Sequence, residues 1–161
     1  MSTLTERLRK FKNSFEKSVP SEVLEVLSRN ISLLQKRHIM ASRLSVGNKI
    51  QTGRIYGSNG HIVELDSLLL QAPMIITFIR GSWCPYCNLQ LNQYQQVLED
   101  IKTLEANLVA ISPQTPGESL NIKEKNELQF EVLSDNGNIV ARQFTQVFKN
   151  GETPIETMKA L

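Results

Sequence analysis

"APMIITFIRGSWCPYCNLQLNQYQQVLEDI", residues 72–101, changes its apolar period halfway along. Met74 to Ile79 is a near-continuous apolar run with β-branched members, the pattern of a buried central strand in a parallel sheet. From Cys87 the period turns helical, with Cys87, Leu91, Tyr94, Leu98 and Ile101 on one face and Gln and Asn on the other. The junction, "RGSWCPYCN" at Arg80–Asn88, holds both cysteines of the chain. A second buried strand is predicted over Leu108–Ile111 in "NLVAIS". Strand, helix and strand within about forty residues form a βαβ unit, right-handed almost without exception. The fold class is therefore α/β, a central and mostly parallel sheet flanked by helices.

Outward from this unit the signals agree with it. Upstream, "GRIYGSNGHIVEL" sets Asn59-Gly60 between two short apolar runs, a strong hairpin signal. Asp66 is placed to cap the short apolar turn "SLLLQ". Downstream, Pro113, Pro116 and Gly117 mark a loop, and Glu118 to Leu128 reads as a helix. "FEVLSDNGNIVARQF" reads as a strand, a turn at Asp135–Gly137 and a further short element. The first forty residues read as two extra helices. Thr3 with Glu6 makes a capping box for the first, whose stripe is Leu4, Leu8, Phe11 and Phe15. Pro20 opens the second, with Leu24, Leu27, Ile31 and Leu34 in line. The expectation is an N-terminal helical extension over 1–45 and an α/β domain over 46–161. The helices are expected to cover a sheet face, with a homodimer contact through the second stripe as the alternative.

Composition narrows the function classes. The 161 residues are 40% apolar and 21% charged, enough for one domain with a real core. A net charge of +2 gives no nucleic-acid footprint, and Arg7, Arg9, Lys10 and Lys12 read as a solvated helix face. The N-terminus is charged and amphipathic, with no signal-peptide core, and no stretch approaches the roughly 18 apolar residues of a membrane span. A cytoplasmic protein is expected, and a reducing compartment makes a close cysteine pair catalytic or metal-binding before it is structural.

The location of the pair matters more than the bare C-x-x-C spacing. Free N–H groups and the dipole at a helix N-terminus stabilise an anion. Cys84 falls at or just before the cap, and such cysteines titrate at about 3.5–7.5 instead of about 8.5. Pro85 suits the first helical position. Cys87, one turn on, is within disulfide reach and is expected to be the more buried thiol. On this reading Cys84 attacks and Cys87 resolves. Two other readings stay open. In one the pair is half of a zinc site, which needs more ligands than His38 and His61 supply at knuckle spacing. In the other both cysteines are inert packing groups.

"CPYC" is the active-site tetrapeptide of glutaredoxins, but the wider context resembles another branch of the thioredoxin superfamily. "FIRGSWCPYCNLQLNQYQ", then "LVAISPQTPGESLNIKEKNELQFEVLSDNGNIVARQF", is similar to peroxiredoxin-like members of the alkyl hydroperoxide reductase/thiol-specific antioxidant (AhpC/TSA) family. The resemblance covers roughly Gly53 to Phe148. It implies a thioredoxin-like fold and thiol-dependent antioxidant chemistry with no bound cofactor or metal. Cys84 then holds the peroxidatic position and Cys87 resolves its sulfenic acid. Thioredoxin, glutaredoxin or glutathione is the implied reductant. Arg80, Gly81, Trp83, Pro85 and Tyr86 form the implied surroundings, Arg80 lending positive charge and Trp83 shielding the thiolate.

Two features depart from the family pattern. Typical peroxiredoxins carry Thr or Ser three residues before the peroxidatic cysteine and Pro four before that; this chain has Gly81 and Thr77. The missing hydroxyl normally orients thiolate and peroxide, so thiol–disulfide exchange becomes the rival activity. The chain also runs from Phe148 straight into "KNGETPIETMKAL", where Pro154 reads as a helix start. The terminal hairpin, its cis-proline and the last helix of the family are expected to be missing. An exposed sheet edge, or an apolar patch near the C-terminus, is the consequence.

Overall fold

The structure is a computed structural model and describes residues 2–36, 44–50 and 53–159. Two compact units divide the chain: Gly47–Phe144, and Met1–Val46 together with Thr145–Leu161.

The larger unit is built on a mixed five-stranded sheet. Its strands are β1 (Arg54–Tyr56), β2 (Ile62–Glu64), β3 (Met74–Phe78), β4 (Asn107–Ser112) and β5 (Glu131–Ser134), in the order β2-β1-β5-β4-β3. β3, β4 and β5 run parallel, while β1 is antiparallel to both β5 and β2. The β1–β2 turn uses the expected Asn59-Gly60. Gly60 takes φ +83, and Asn59 Oδ1 accepts from the His61 N–H at 3.1 Å.

The sheet separates two apolar layers, because successive strand residues point to opposite faces. Leu108, Ala110 and Val132 face the helices α4 (Pro85–Gln96), α5 (Leu98–Thr103) and α6 (Pro116–Lys125). Leu91, Leu98, Ile101 and Ile122 complete that layer. Val109, Ile111 and Leu133 face the other way, with Ile55, Leu65 and Val140. The helices α3 (Leu65–Leu69) and α7 (Ala141–Phe144) lie in that second layer, where Phe144 meets Phe78 edge-on at 5.4 Å.

Three local expectations are corrected. β3 is an edge strand, not a central one: it pairs with β4, and no strand covers its other edge among the described residues. Its run of apolar residues reports two covered faces, which says nothing about lateral neighbours, and Ile75 remains 39% exposed. Asp66 does not cap α3. The helix starts straight from β2 with Glu64 as N-cap, so Asp66 lies in the first turn, where its charge suits the dipole. The long helical period after Cys87 is interrupted at Val97 (φ −106, ψ 11), which ends α4 and starts α5 without losing the apolar stripe.

The smaller unit holds α1 (Leu4–Ser18), α2 (Ser21–Lys36) and α8 (Glu152–Lys159). The Thr3–Glu6 capping box is formed, with Thr3 Oγ1 accepting from the Glu6 N–H and Glu6 Oε2 from the Thr3 N–H. Phe11 and Phe15 stack at 6.3 Å along α1. α2 packs against α8, and Asn30 reaches Asn150 at 3.4 Å. Ile31 stays 55% exposed, so the stripe of α2 is only part covered within its own unit. No helix among the described residues is long and apolar enough to cross a membrane.

Candidate active site

β3 delivers the chain to Arg80 at the sheet's carboxyl end, and α4 begins at Pro85, just beyond Cys84. Cys84 is the N-cap of α4 in extended conformation, and Pro85 holds the first helical position where its missing N–H costs nothing. Cys84 Sγ does the work of a capping oxygen: it accepts the Cys87 N–H at 3.3 Å. It also accepts from the Cys87 thiol at 2.8 Å and from Arg80 Nη2 at 3.0 Å. Cys87 Sγ in turn accepts from the Arg80 N–H at 3.5 Å. Both cysteines are free thiols.

This arrangement separates the two thiols. The Cys87 hydrogen bond is the largest influence on Cys84. Burial opposes it, and the Cys87 N–H and Arg80 add to it, bringing Cys84 down to about 5. The same hydrogen bond, now costing a proton that is shared, pushes Cys87 well above the usual thiol range, and burial adds to the rise. Burial works against the Arg80 charge, but its contacts with Cys84 and Cys87 outweigh that and hold the guanidinium protonated.

Cys84 is 0% exposed and Cys87 is 9% exposed, the reverse of the expected order. The N-cap geometry turns the Cys84 side chain in over the helix end, beneath Arg80. Arg80 lies between the sulfur and the surface. Its guanidinium contacts Cys84 on one side and lies over the Trp83 ring on the other, 5.2 Å from the centroid. Trp83 is 56% exposed and so forms the outer surface of the site. Tyr86 is half-buried and packs against the layer that holds Leu91 and both cysteines.

Gly81 is a requirement of the backbone. Its φ is +148, a region L side chains rarely adopt, and a Cβ there would meet Gln114 Oε1 and Trp83 Nε1 at 2.7 Å. Gln114, just past β4, was not singled out from the sequence. It lies in "AISPQTP", well past the cysteines in the chain and at no spacing from them that carries a signal. Among the described residues no cluster of three or more His, Cys, Asp or Glu could hold a metal ion, and His38 lies outside them.

Comparisons with known proteins agree with this architecture. The model of the AhpC/TSA family matches residues 46–158. The chloroplastic peroxiredoxin Q of Oryza sativa subsp. japonica is 25% identical over 109 residues, 68% of this chain and 50% of the rice protein. The crystal structure of Peroxidoxin BcpB from Mycobacterium tuberculosis superposes with a TM-score of 0.61 at 20% identity, covering 63% of this chain and 66% of that one. A Xylella fastidiosa PrxQ mutant gives 0.58 at 13% identity, over 69% and 74%. These structural likenesses establish a thioredoxin-like fold. The chain spans about half the length of the curated relatives it matches.

Proposed function

Because the chain belongs to the AhpC/TSA family, we propose that it is a thiol peroxidase in which Cys84 reduces a hydroperoxide and Cys87 resolves the product. The observation that carries this is the donor set on Cys84 Sγ. A backbone N–H, a thiol and a guanidinium converge on one sulfur. That is the environment a thiolate nucleophile needs at neutral pH.

The Cys84 thiolate attacks one oxygen of the peroxide O–O bond. The S–O bond forms and the O–O bond breaks; the hydroperoxide's own proton stays on the transferred oxygen, and the other oxygen leaves as alkoxide or hydroxide and takes a proton from water. Cys84 is oxidised to the sulfenic acid. Cys87 is held protonated while Cys84 carries charge. Once Cys84 becomes a neutral sulfenic acid that restraint disappears, and Cys87 Sγ, 2.8 Å from its partner before reaction, attacks it. The S–S bond forms and water departs. A dithiol protein such as thioredoxin or glutaredoxin, or two molecules of glutathione, then reduces the disulfide by exchange.

Gly81 favours one rival, a disulfide reductase using the same pair, since no hydroxyl at that position can orient a peroxide. Stopped-flow reaction of the reduced protein with a hydroperoxide, and separately with a small disulfide, decides between them. The expected result is peroxide consumption well above that of an unactivated thiol, lost in Cys84→Ser. In Cys87→Ser, consumption should stop after one turnover, with a sulfenic acid that dimedone traps. Faster reaction with the disulfide than with the peroxide overturns the peroxidase reading.

A further inference from the structure

Ser82, between Gly81 and Trp83, is gripped on both sides of its backbone. Its N–H donates to Gln114 Oε1 at 2.6 Å, and its carbonyl accepts from Asn88 Nδ2 at 2.9 Å. Gln114 Nε2 also reaches Ser82 Oγ at 3.4 Å and Glu118 Oε1 at 3.1 Å. The backbone of Gln114 is itself anchored at the sheet end. Its N–H donates to Ser112 Oγ at 3.1 Å, and its carbonyl accepts from the Ser134 hydroxyl. Asn88 is backed by Asn126 at 3.1 Å, which accepts from Asn92 at the same distance.

We propose that Gln114 is a positioning residue for Cys84. It clamps the Gly81–Ser82 segment from the end of β4 and so sets where the Cys84 sulfur lies over the start of α4. Ser82 is two residues from Cys84, and the turn between them is closed by the Cys84 N–H donating to the Gly81 carbonyl at 3.1 Å. If the Ser82 peptide swings, Cys84 leaves its cap conformation and its sulfur leaves the Cys87 N–H. Gly81 belongs to the same device. Only the absence of a Cβ lets the Gln114 carboxamide approach Ser82, which would otherwise be left with an unmatched N–H. The site thus takes its support from a side chain on a neighbouring strand end, not from a hydroxyl at position 81.

The inference rests on Cys84 being the reactive thiol, but its test needs no peroxide. Gln114→Met keeps the volume and removes the hydrogen bonds. The readouts are thiolate absorbance at 240 nm against pH, and the pH profile of alkylation by iodoacetamide, with the thermal midpoint followed in parallel. We expect the Cys84 midpoint to rise by about one pH unit or more, a tenfold loss of thiolate at pH well below both midpoints. Asn92→Ala, at the far end of the network, should leave the midpoint unchanged. An unchanged midpoint in folded Gln114→Met overturns the proposal, and so does an equal shift in Asn92→Ala. If Gln114→Met does not fold, Asn88→Leu releases the other side of Ser82 and must raise the midpoint in the same direction, or the proposal fails. A protein inert to peroxide but with a shifted midpoint in Gln114→Met would refute the peroxidase reading and leave this inference standing.

Discussion

Arg80 Nη2 lies 3.0 Å from Cys84 Sγ while the same guanidinium covers the face of Trp83. One cation therefore serves the thiolate and the outer surface of the site together. The wild-type thiolate should titrate with a midpoint of about 5. Arg80→Met removes a charge-assisted hydrogen bond of about 1.5–3 kcal/mol, so the midpoint should rise by about one to two pH units. Absorbance at 240 nm across pH 3–10 checks it (roughly the range that spans both midpoints). Arg80→Lys should recover only part of the shift, because a point charge cannot both stack and donate as the planar fork does.

Stability should depend on pH through the same pair. The folded Cys84 value is lowered relative to the unfolded one, so its contribution is absent below about pH 5 and grows as pH rises toward the unfolded value of about 8.5. The expected slope in that window is about 1 kcal/mol per pH unit, with the reduced state stabilised. Cys87 is shifted upward, so above about pH 8.5 it works in the opposite sense, the unfolded chain losing a proton that the folded chain keeps. Urea unfolding of the reduced protein at several pH values should show stability climbing and then turning over. Cys84→Ser should remove the climb.

Trp83 is the sole tryptophan of the chain, so its fluorescence can be read without interference from another indole. Forming the Cys84–Cys87 disulfide removes the thiolate that holds Arg80. Trp83 fluorescence should then change in intensity between reduced and oxidised protein. In Arg80→Met the difference should largely vanish. Equal redox-dependent changes in both proteins would mean that Arg80 does not link the sulfur to the ring.

Gly81→Thr should destabilise the fold instead of adding a peroxidatic hydroxyl. A threonine at φ +148 is strained, and its Cβ collides with Gln114 and Trp83. The expected cost is about 1–3 kcal/mol. Denaturant melts will show it, and peroxide consumption should fall, not rise.

Asp135 is buried at the end of β5 and accepts the N–H groups of Val140 and Ala141 at 3.1 and 2.8 Å. It ties the turn after β5 to the start of α7. Asp135→Ala leaves those N–H groups without a partner and should cost about 2–3 kcal/mol in urea unfolding. Asp135→Asn keeps one acceptor and should cost less.

The elements themselves were legible in the chain because their signals are local. The Thr3–Glu6 box, the Asn59-Gly60 turn, Pro85 at the start of α4 and the periods of 2 and 3.6 each depend on neighbours within a few residues. So does the place of Cys84 as the N-cap of α4, since a helix N-terminus is a property of one short segment. Lateral order and site support were not local. That β3 ends at an edge follows from which strands pair, and an apolar run is the same string at an edge or in the centre. Arg80 could have faced water or sulfur, and the choice came from how β3 and α4 meet. Gln114 reaches Ser82 only because β4 lies beside β3, bringing together residues 32 positions apart. Sequence spacing carries no trace of such a contact, because hydrogen bonds across a fold are set by packing distance and not by chain distance. Gly81 shows the division clearly: the chain names the missing side chain, and the fold supplies the carboxamide that occupies its place.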